Sequence, residues 1–162
     1  VIGQIKDAVR DGLRSLKNAI DDGALIPGAG AFEVAAAMHL KDVVAKSAKG
    51  RSKLGIESFA EALMVIPKTL AENSGLDVQE SMLLLQDEVR ATEGTMAVGL
   101  DVQTGQPILP QEEGIWDNVR VKRQSLHLAT ILANQLLLVD EVIRAGKQMG
   151  HAPPAQGGGD LE

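Results

Sequence analysis

The stretch Ile2-Gly3-Gln4-Ile5-Lys6-Asp7-Ala8-Val9-Arg10-Asp11-Gly12-Leu13-Arg14-Ser15-Leu16-Lys17-Asn18-Ala19-Ile20 decides the fold class. Its apolar residues fall at Ile2, Ile5, Val9, Leu13, Leu16 and Ile20, in steps of three and four that line one stripe of an α-helix. Asp21-Asp22-Gly23 ends the helix, with Gly23 free to adopt the left-handed cap conformation. A short Ala24-Leu25-Ile26 stretch follows, then Pro27-Gly28-Ala29-Gly30, which opens a second helix over residues 31–46.

Working outward, the pattern stays helical. A small basic loop spans residues 47–52, and a third helix runs over residues 53–73, interrupted at Pro67, whose ring removes a helical hydrogen bond. Asn73-Ser74-Gly75 closes it. Asp77 caps a fourth helix reaching about residue 92, with Glu80 three residues on in capping-box position. Between residues 94 and 111 the period changes: Val98, Leu100 and Val102 alternate, Gln103-Thr104-Gly105-Gln106 turns, and Pro107-Ile108-Leu109 returns, which predicts a small β-hairpin. Asp117 or Asn118 then caps a long helix. Residues 136–143 fit either its continuation or an edge strand, and residues 150–162, rich in Gly and Pro, are expected to be disordered.

Composition narrows the function classes. The chain has 162 residues, enough for one domain with a real core. Hydrophobic residues make up 44%, yet the aromatics are only Trp116, Phe32 and Phe59, so the core material is Ala, Leu, Val and Ile and suits helices. Platforms for stacking bases are lacking. The formal charge of −6 argues against nucleic acid as a partner, and the nearest approach to a basic patch is Arg120, Lys122 and Arg123. Cysteine is absent, which rules out disulfides and thiolate metal sites and suits a reducing, cytoplasmic compartment. No apolar run approaches a membrane span, and no secretory leader is recognisable at Val1. The lack of an initiator methionine reads as an internal boundary of a longer protein.

Three fragments are candidates for one nucleotide site. A Gly28-Ala29-Gly30 turn at a helix start lets backbone approach a ligand and directs N–H groups and a positive dipole end at it. It is neither a Walker loop nor the three-glycine dinucleotide fingerprint, and a plain turn also explains it. Asp117 is explained by N-capping, or by a carboxylate that accepts the hydroxyl hydrogens of a ribose. Asp7 lies off the apolar stripe, where a carboxylate is ordinarily solvated. His39, His127 and His151 are far apart in sequence and have no metal-ligand spacing.

Five blocks, taken in order, resemble the C-terminal part of a group II chaperonin subunit (the TCP-1/CCT family). They begin at Gln4 (Gln-Ile-Lys-Asp-Ala-Val-Arg-Asp-Gly-Leu), Ile26 (Ile-Pro-Gly-Ala-Gly-Ala), Gly99 (Gly-Leu-Asp-Val-Gln-Thr-Gly), Trp116 (Trp-Asp-Asn-Val-Arg-Val-Lys) and Leu137 (Leu-Leu-Val-Asp-Glu-Val-Ile-Arg-Ala). The match covers about residues 1–146 and looks most like the zeta type. It implies a mainly α, multihelical fold: residues 1–22 as the last helix of an intermediate domain, and residues 23–149 as the C-terminal segment of the equatorial nucleotide-binding domain. It turns residues 139–143 into a C-terminal edge strand. Carried over residue by residue, it implies Asp7 as the carboxylate that activates the attacking water. Gly28 and Gly30 would pack against ATP or ADP, Gly99 and Asp101 line the base, Asp117 hold the ribose, and Lys122 lie close by.

The resemblance also implies a phosphate loop, Gly-Asp-Gly-Thr-Thr, whose aspartate holds Mg2+ in that family; it does not occur in these residues, so the chain alone is expected to have negligible ATPase activity. The implied partners are other chaperonin subunits in a hetero-oligomeric double ring and unfolded client proteins, with no nucleic acid and no membrane. The alternative is a non-catalytic helical protein-interaction module, complete in itself and exposing little apolar surface.

Overall fold

A computed structural model describes residues 1–92, 94 and 96–143 of the chain. The tail expected to be disordered, residues 150–162, and the end of the expected equatorial segment lie outside the described residues. Two compact units are distinguished, residues 1–125 and residues 126–162.

Seven α-helices and four short strands make up the described part: α1 Ile2–Asp22, β1 Leu25–Pro27, α2 Ala31–His39, α3 Ala45–Ser47, α4 Arg51–Leu63, α5 Val65–Asn73, α6 Val78–Ala91, β2 Gly99–Leu100, β3 Pro107–Ile108, β4 Trp116–Asn118 and α7 Val119–Leu137. The expected second helix is real but not uniform. Between α2 and α3 the chain winds through a π-helical turn, Leu40–Val44, where the Ala45 N–H reaches the Leu40 carbonyl five residues back.

Local chemistry sets most boundaries. Gly23 caps α1 at φ 60°, its N–H bonded to the Ala19 carbonyl. The break at Met64 places Pro67 third in α5, in the first turn, where backbone N–H groups have no intrahelical acceptor and the missing donor costs little. Gly75 at φ 73° ends α5, and the Leu76 N–H returns to the Ala71 carbonyl at 3.0 Å in a Schellman arrangement. Asp77 caps α6, its Oδ1 accepting from the N–H groups of Gln79 at 2.9 Å and Glu80 at 3.0 Å.

Helix α2 lies at the centre of the first unit, packed on α4, α5, α6 and the strands β1 and β2. Ala31, Val34 and Ala37 of α2 are buried, as are Ala60, Leu63, Met64, Ala71, Met82, Leu85, Val89, Val98 and Leu100 of the first unit. Small residues on α2 are what let so many elements approach one helix.

The strands form two antiparallel pairs, β1 with β4 and β2 with β3. The hairpin expected between residues 94 and 111 is thus present as β2 and β3. Two expectations change. Asp117 and Asn118, expected to cap the long helix, are the last two residues of β4, directly before α7 and in register with Ile26 and Leu25 respectively. Residues 139–143 form neither strand nor helix: α7 stops at Leu137, and a strand exists only through hydrogen bonds to a neighbour, which no described segment offers them. No helix among the described residues is long and apolar enough to cross a membrane.

Candidate functional site

The turn before α2 is built from unusual backbone. Ala29 has φ 54° and Gly30 φ 75°, two successive left-handed residues, and Ala29 is the one non-glycine residue so placed among those described. The Gly28 N–H donates to the Ile115 carbonyl at 3.0 Å, extending the β1–β4 ladder by one bond, and the Ala31 N–H returns to the Gly28 carbonyl at 3.0 Å. A side chain at Gly28 would stand 3.0 Å from Ile115 Cγ2 and 3.5 Å from the Asp117 carboxyl carbon. The first glycine therefore lies against Asp117, about ninety positions away in sequence, because β1 and β4 pair.

Gly99 closes the turn from the other side. The Leu100 N–H donates to the Ala29 carbonyl at 2.9 Å, and a Cβ on Gly99 would lie 2.7 Å from Ala29 Cβ and 2.9 Å from Pro110 Cγ. Only glycine fits there. At Gly30 the φ is positive, and a Cβ would also meet Pro67 of α5 at 3.2 Å. Gly28, Gly30, Gly99 and Asp117 are accordingly brought to one place.

Lys122, in the first turn of α7, completes the cluster. Its ammonium lies 2.9 Å from Asp117 Oδ2 and 2.5 Å from Glu33 Oε1. Glu33 is 2% exposed, Lys122 19% and Asp117 39% by side chain, a gradient from core to solvent. Burial works to lower the Lys122 pKa, and the hydrogen bonds and charges of Glu33 and Asp117 more than reverse it, holding the ammonium above the ordinary lysine value. Glu33 Oε2 is buried without a hydrogen-bond partner. Asp117 Oδ2 meets Lys122 instead of serving only as a cap, and Asn118, which is buried, donates from Nδ2 to Ser15 Oγ at 2.8 Å.

The remaining candidates stand apart. Asp101 is committed to the hairpin turn, Oδ2 accepting from the Thr104 hydroxyl at 2.6 Å and Oδ1 from the Gln103 N–H at 2.9 Å. The Thr104 hydrogen bond, then that of Gln103, lowers its pKa. Asp7 is exposed on α1, and no residue of that helix is buried. It lies eight positions before Ser15, the α1 residue bonded to β4, a rise of roughly 12 Å along the helix. The structure therefore does not join Asp7 to the turn. Nor do Arg120 and Lys122 make a basic surface patch: Arg120 pairs with Asp22 and Lys122 with its two carboxylates.

This arrangement offers a glycine-lined approach to backbone beside a carboxylate whose Oδ2 holds the ammonium and whose Oδ1 has no ion-pair partner among the described residues, suited to accepting hydroxyl hydrogens. Residues 1–147 match the family model of the TCP-1/cpn60 chaperonins. The chain belongs to this family. Among chaperonin relatives, human T-complex protein 1 subunit zeta-2 is 51% identical over 143 residues, covering 88% of this chain and 26% of that protein, and the mouse protein of the same name matches equally. The chain thus spans about a quarter of the length of the curated relatives it matches. Its fold is similar to the open-state monomer of a group II chaperonin from Methanococcoides burtonii, with a TM-score of 0.72 and 33% identity over 83% of this chain and 33% of that one. The mainly helical chaperonin fold expected from the sequence is what the structure has.

Sequence reasoning missed Glu33. The signal was there: Ala31-Phe32-Glu33-Val34-Ala35-Ala36-Ala37-Met38 places one carboxylate in an otherwise apolar run, and a charge in such company needs a buried partner. It also missed Ile115, whose contact with Gly28 follows only from the pairing of the distant strands β1 and β4, and Pro110, which the β2–β3 hairpin brings close to Gly99.

Proposed function

We propose that this chain is the C-terminal part of a chaperonin subunit that binds ATP and couples its hydrolysis to ring closure around unfolded client proteins. The observation that carries the reading is the convergence of Gly28, Gly99 and Asp117, from three separate blocks of sequence, at the start of α2. In this reading Asp117 accepts the ribose hydroxyls, Gly28, Gly30 and Gly99 let backbone lie against the nucleotide, and Lys122 pairs with Asp117. Asp101 lies one residue beyond the strand that holds Ala29, at the edge assigned to the base.

The narrow glycine contacts and the part-exposed Asp117 fit the nucleoside end of the ligand. ATP supplies the phosphoanhydride that is cleaved. No group of three acidic, histidine or cysteine side chains able to hold a metal ion comes together among the described residues, so Mg2+ and the phosphates are assigned to residues elsewhere in the subunit. Residues 1–22 form the last helix of an intermediate domain in this reading, and residues 23–149 the C-terminal segment of the equatorial domain. Asp7, on that first helix, is the catalytic carboxylate brought over the nucleotide when the domain moves. The exposed stripe of α1 supports it, because a helix this amphipathic belongs against another surface. The partners are other chaperonin subunits in a hetero-oligomeric ring, and the compartment is the cytoplasm.

The test is made in the full-length subunit within its ring. Asp7→Ala is expected to leave nucleotide affinity near wild type and to slow phosphate release at least roughly tenfold, by removing a contribution made in the transition state. Asp117→Ala is expected to weaken binding itself. Loss of affinity in the Asp7 variant would remove its assigned role.

A further inference from the structure

Glu33 is more than nine-tenths buried, carries one oxygen bonded to Lys122 and one oxygen with no partner, and lies in the first turn of the helix that the glycine turn opens. Lys122 is shared between this buried carboxylate and the part-exposed Asp117. A lone buried carboxylate is costly, and a fixed ion pair would leave neither a spare acceptor inside nor a shared cation outside. We infer that Glu33 is a positioning residue that sets the availability of Asp117, by holding Lys122 and accepting it fully when ligand hydroxyls occupy Asp117.

The geometry requires such a counterpart. One hydroxyl hydrogen meets Asp117 Oδ1, and the second meets Oδ2, where it competes with the ammonium that already lies 2.9 Å away. Lys122 cannot leave toward solvent without leaving the buried Glu33 charge unpaired. Glu33 Oε2 offers the displaced ammonium an acceptor within the same side chain. The pair thereby lets Asp117 exchange a cation for two hydroxyl donors while no charge is stranded. Gly28, against the Asp117 carboxyl carbon, keeps the space in which the exchange takes place.

The inference rests on the nucleotide reading above, and the experiment separates the two. ADP and 2′,3′-dideoxy-ADP, which lacks both ribose hydroxyls, are titrated into the full-length subunit, which supplies the phosphate contacts, as wild type, as Glu33→Gln and as the double variant Glu33→Gln/Lys122→Met. With Glu33 neutral, Lys122 belongs to Asp117 alone, so ADP affinity is expected to fall roughly fivefold to tenfold while dideoxy-ADP affinity stays unchanged. The double variant, with no ammonium to displace, is expected to recover a preference for ADP at or above that of wild type. Equal losses for both ligands, no loss for either, or a double variant as weak as the single one would overturn the positioning role and leave the nucleotide reading standing. A wild-type full-length subunit that binds neither ligand, or that does not distinguish them, overturns both. Should Glu33→Gln fail to fold, the double variant decides alone: a preference for ADP below that of wild type overturns the inference.

Discussion

Helix α1 and the turn at residues 28–30 are neighbours in sequence and follow opposite rules. The helix has the clearest periodicity in the chain, yet its six stripe residues are between 58% and 85% exposed and none of its residues is buried. The turn has almost no periodic signal, yet it is hydrogen-bonded to Ile115 and Leu100, and a Cβ at Gly28, Gly30 or Gly99 would meet Ile115, Pro67 or Ala29 at 3.2 Å or less. Periodicity reports a face that gains by burial, and it is silent on whether the burial partner lies in the same stretch of chain. Tight turns built of glycine report a contact already made.

The widest gap between the two regions is energetic. Leu85→Ala, at a fully buried position of α6, is expected to cost about 3 kcal/mol, whereas Leu13→Ala, on the exposed α1 stripe, costs about 0.5 kcal/mol or less. Denaturant titration of the two variants checks this, and an equal cost would mean that α1 is covered in solution. Lys122→Met should come next, at about 3 kcal/mol or somewhat less, since it strands the buried Glu33 carboxylate.

The same ion cluster predicts a pH window. Lys122 titrates above its ordinary value of 10.5 in the folded chain, so its contribution is complete below that pH and is lost as the pH rises through the folded value. A thermal midpoint followed from about pH 8 upward should fall more steeply in the alkaline range for wild type than for the Glu33→Gln/Lys122→Met variant. Identical slopes would separate Lys122 from stability.

Smaller effects sharpen the turn side of the comparison. Gly99→Ala places a Cβ 2.7 Å from Ala29 Cβ and 3.0 Å from its carbonyl oxygen, and is expected to destabilise by about 2 kcal/mol, an overpacking cost that calorimetry would register. Ala29→Gly should move the other way. It relieves a left-handed alanine, worth roughly 1–2 kcal/mol, against the greater freedom of glycine in the unfolded chain, for a net gain of about 0.5 kcal/mol. A loss on that substitution would show that the Ala29 methyl contact with the Gly99 strand matters more than the backbone.

Much of the fold was legible residue by residue. Gly23, Gly75 and Asp77 act where their side chains, or lack of one, dictate, and Pro67 breaks the third helix one turn before itself. These are local events, settled within about four residues by backbone hydrogen bonding. The edge strand expected at residues 139–143 was not legible in this way, because a strand is defined by its neighbour. Asp117 shows the same limit at the site. Its position before a helix pointed to a cap, and the pairing of β4 with β1 turned it towards Lys122 and the glycine turn instead.

By itself the sequence determined a helical chaperonin segment, its caps and breaks, and the glycines of the turn, because those depend on short-range sterics and on blocks of residues read in order. Tertiary structure alone decided that Gly28 lies against Asp117, that Glu33 and Lys122 form an ion pair beneath it, and that the α1 stripe stays open. The first two join residues about ninety positions apart, and the third depends on a partner that α1 does not carry in its own stretch of chain. Such contacts are selected by packing and charge neutralisation in the folded chain, where no pattern along the sequence records them.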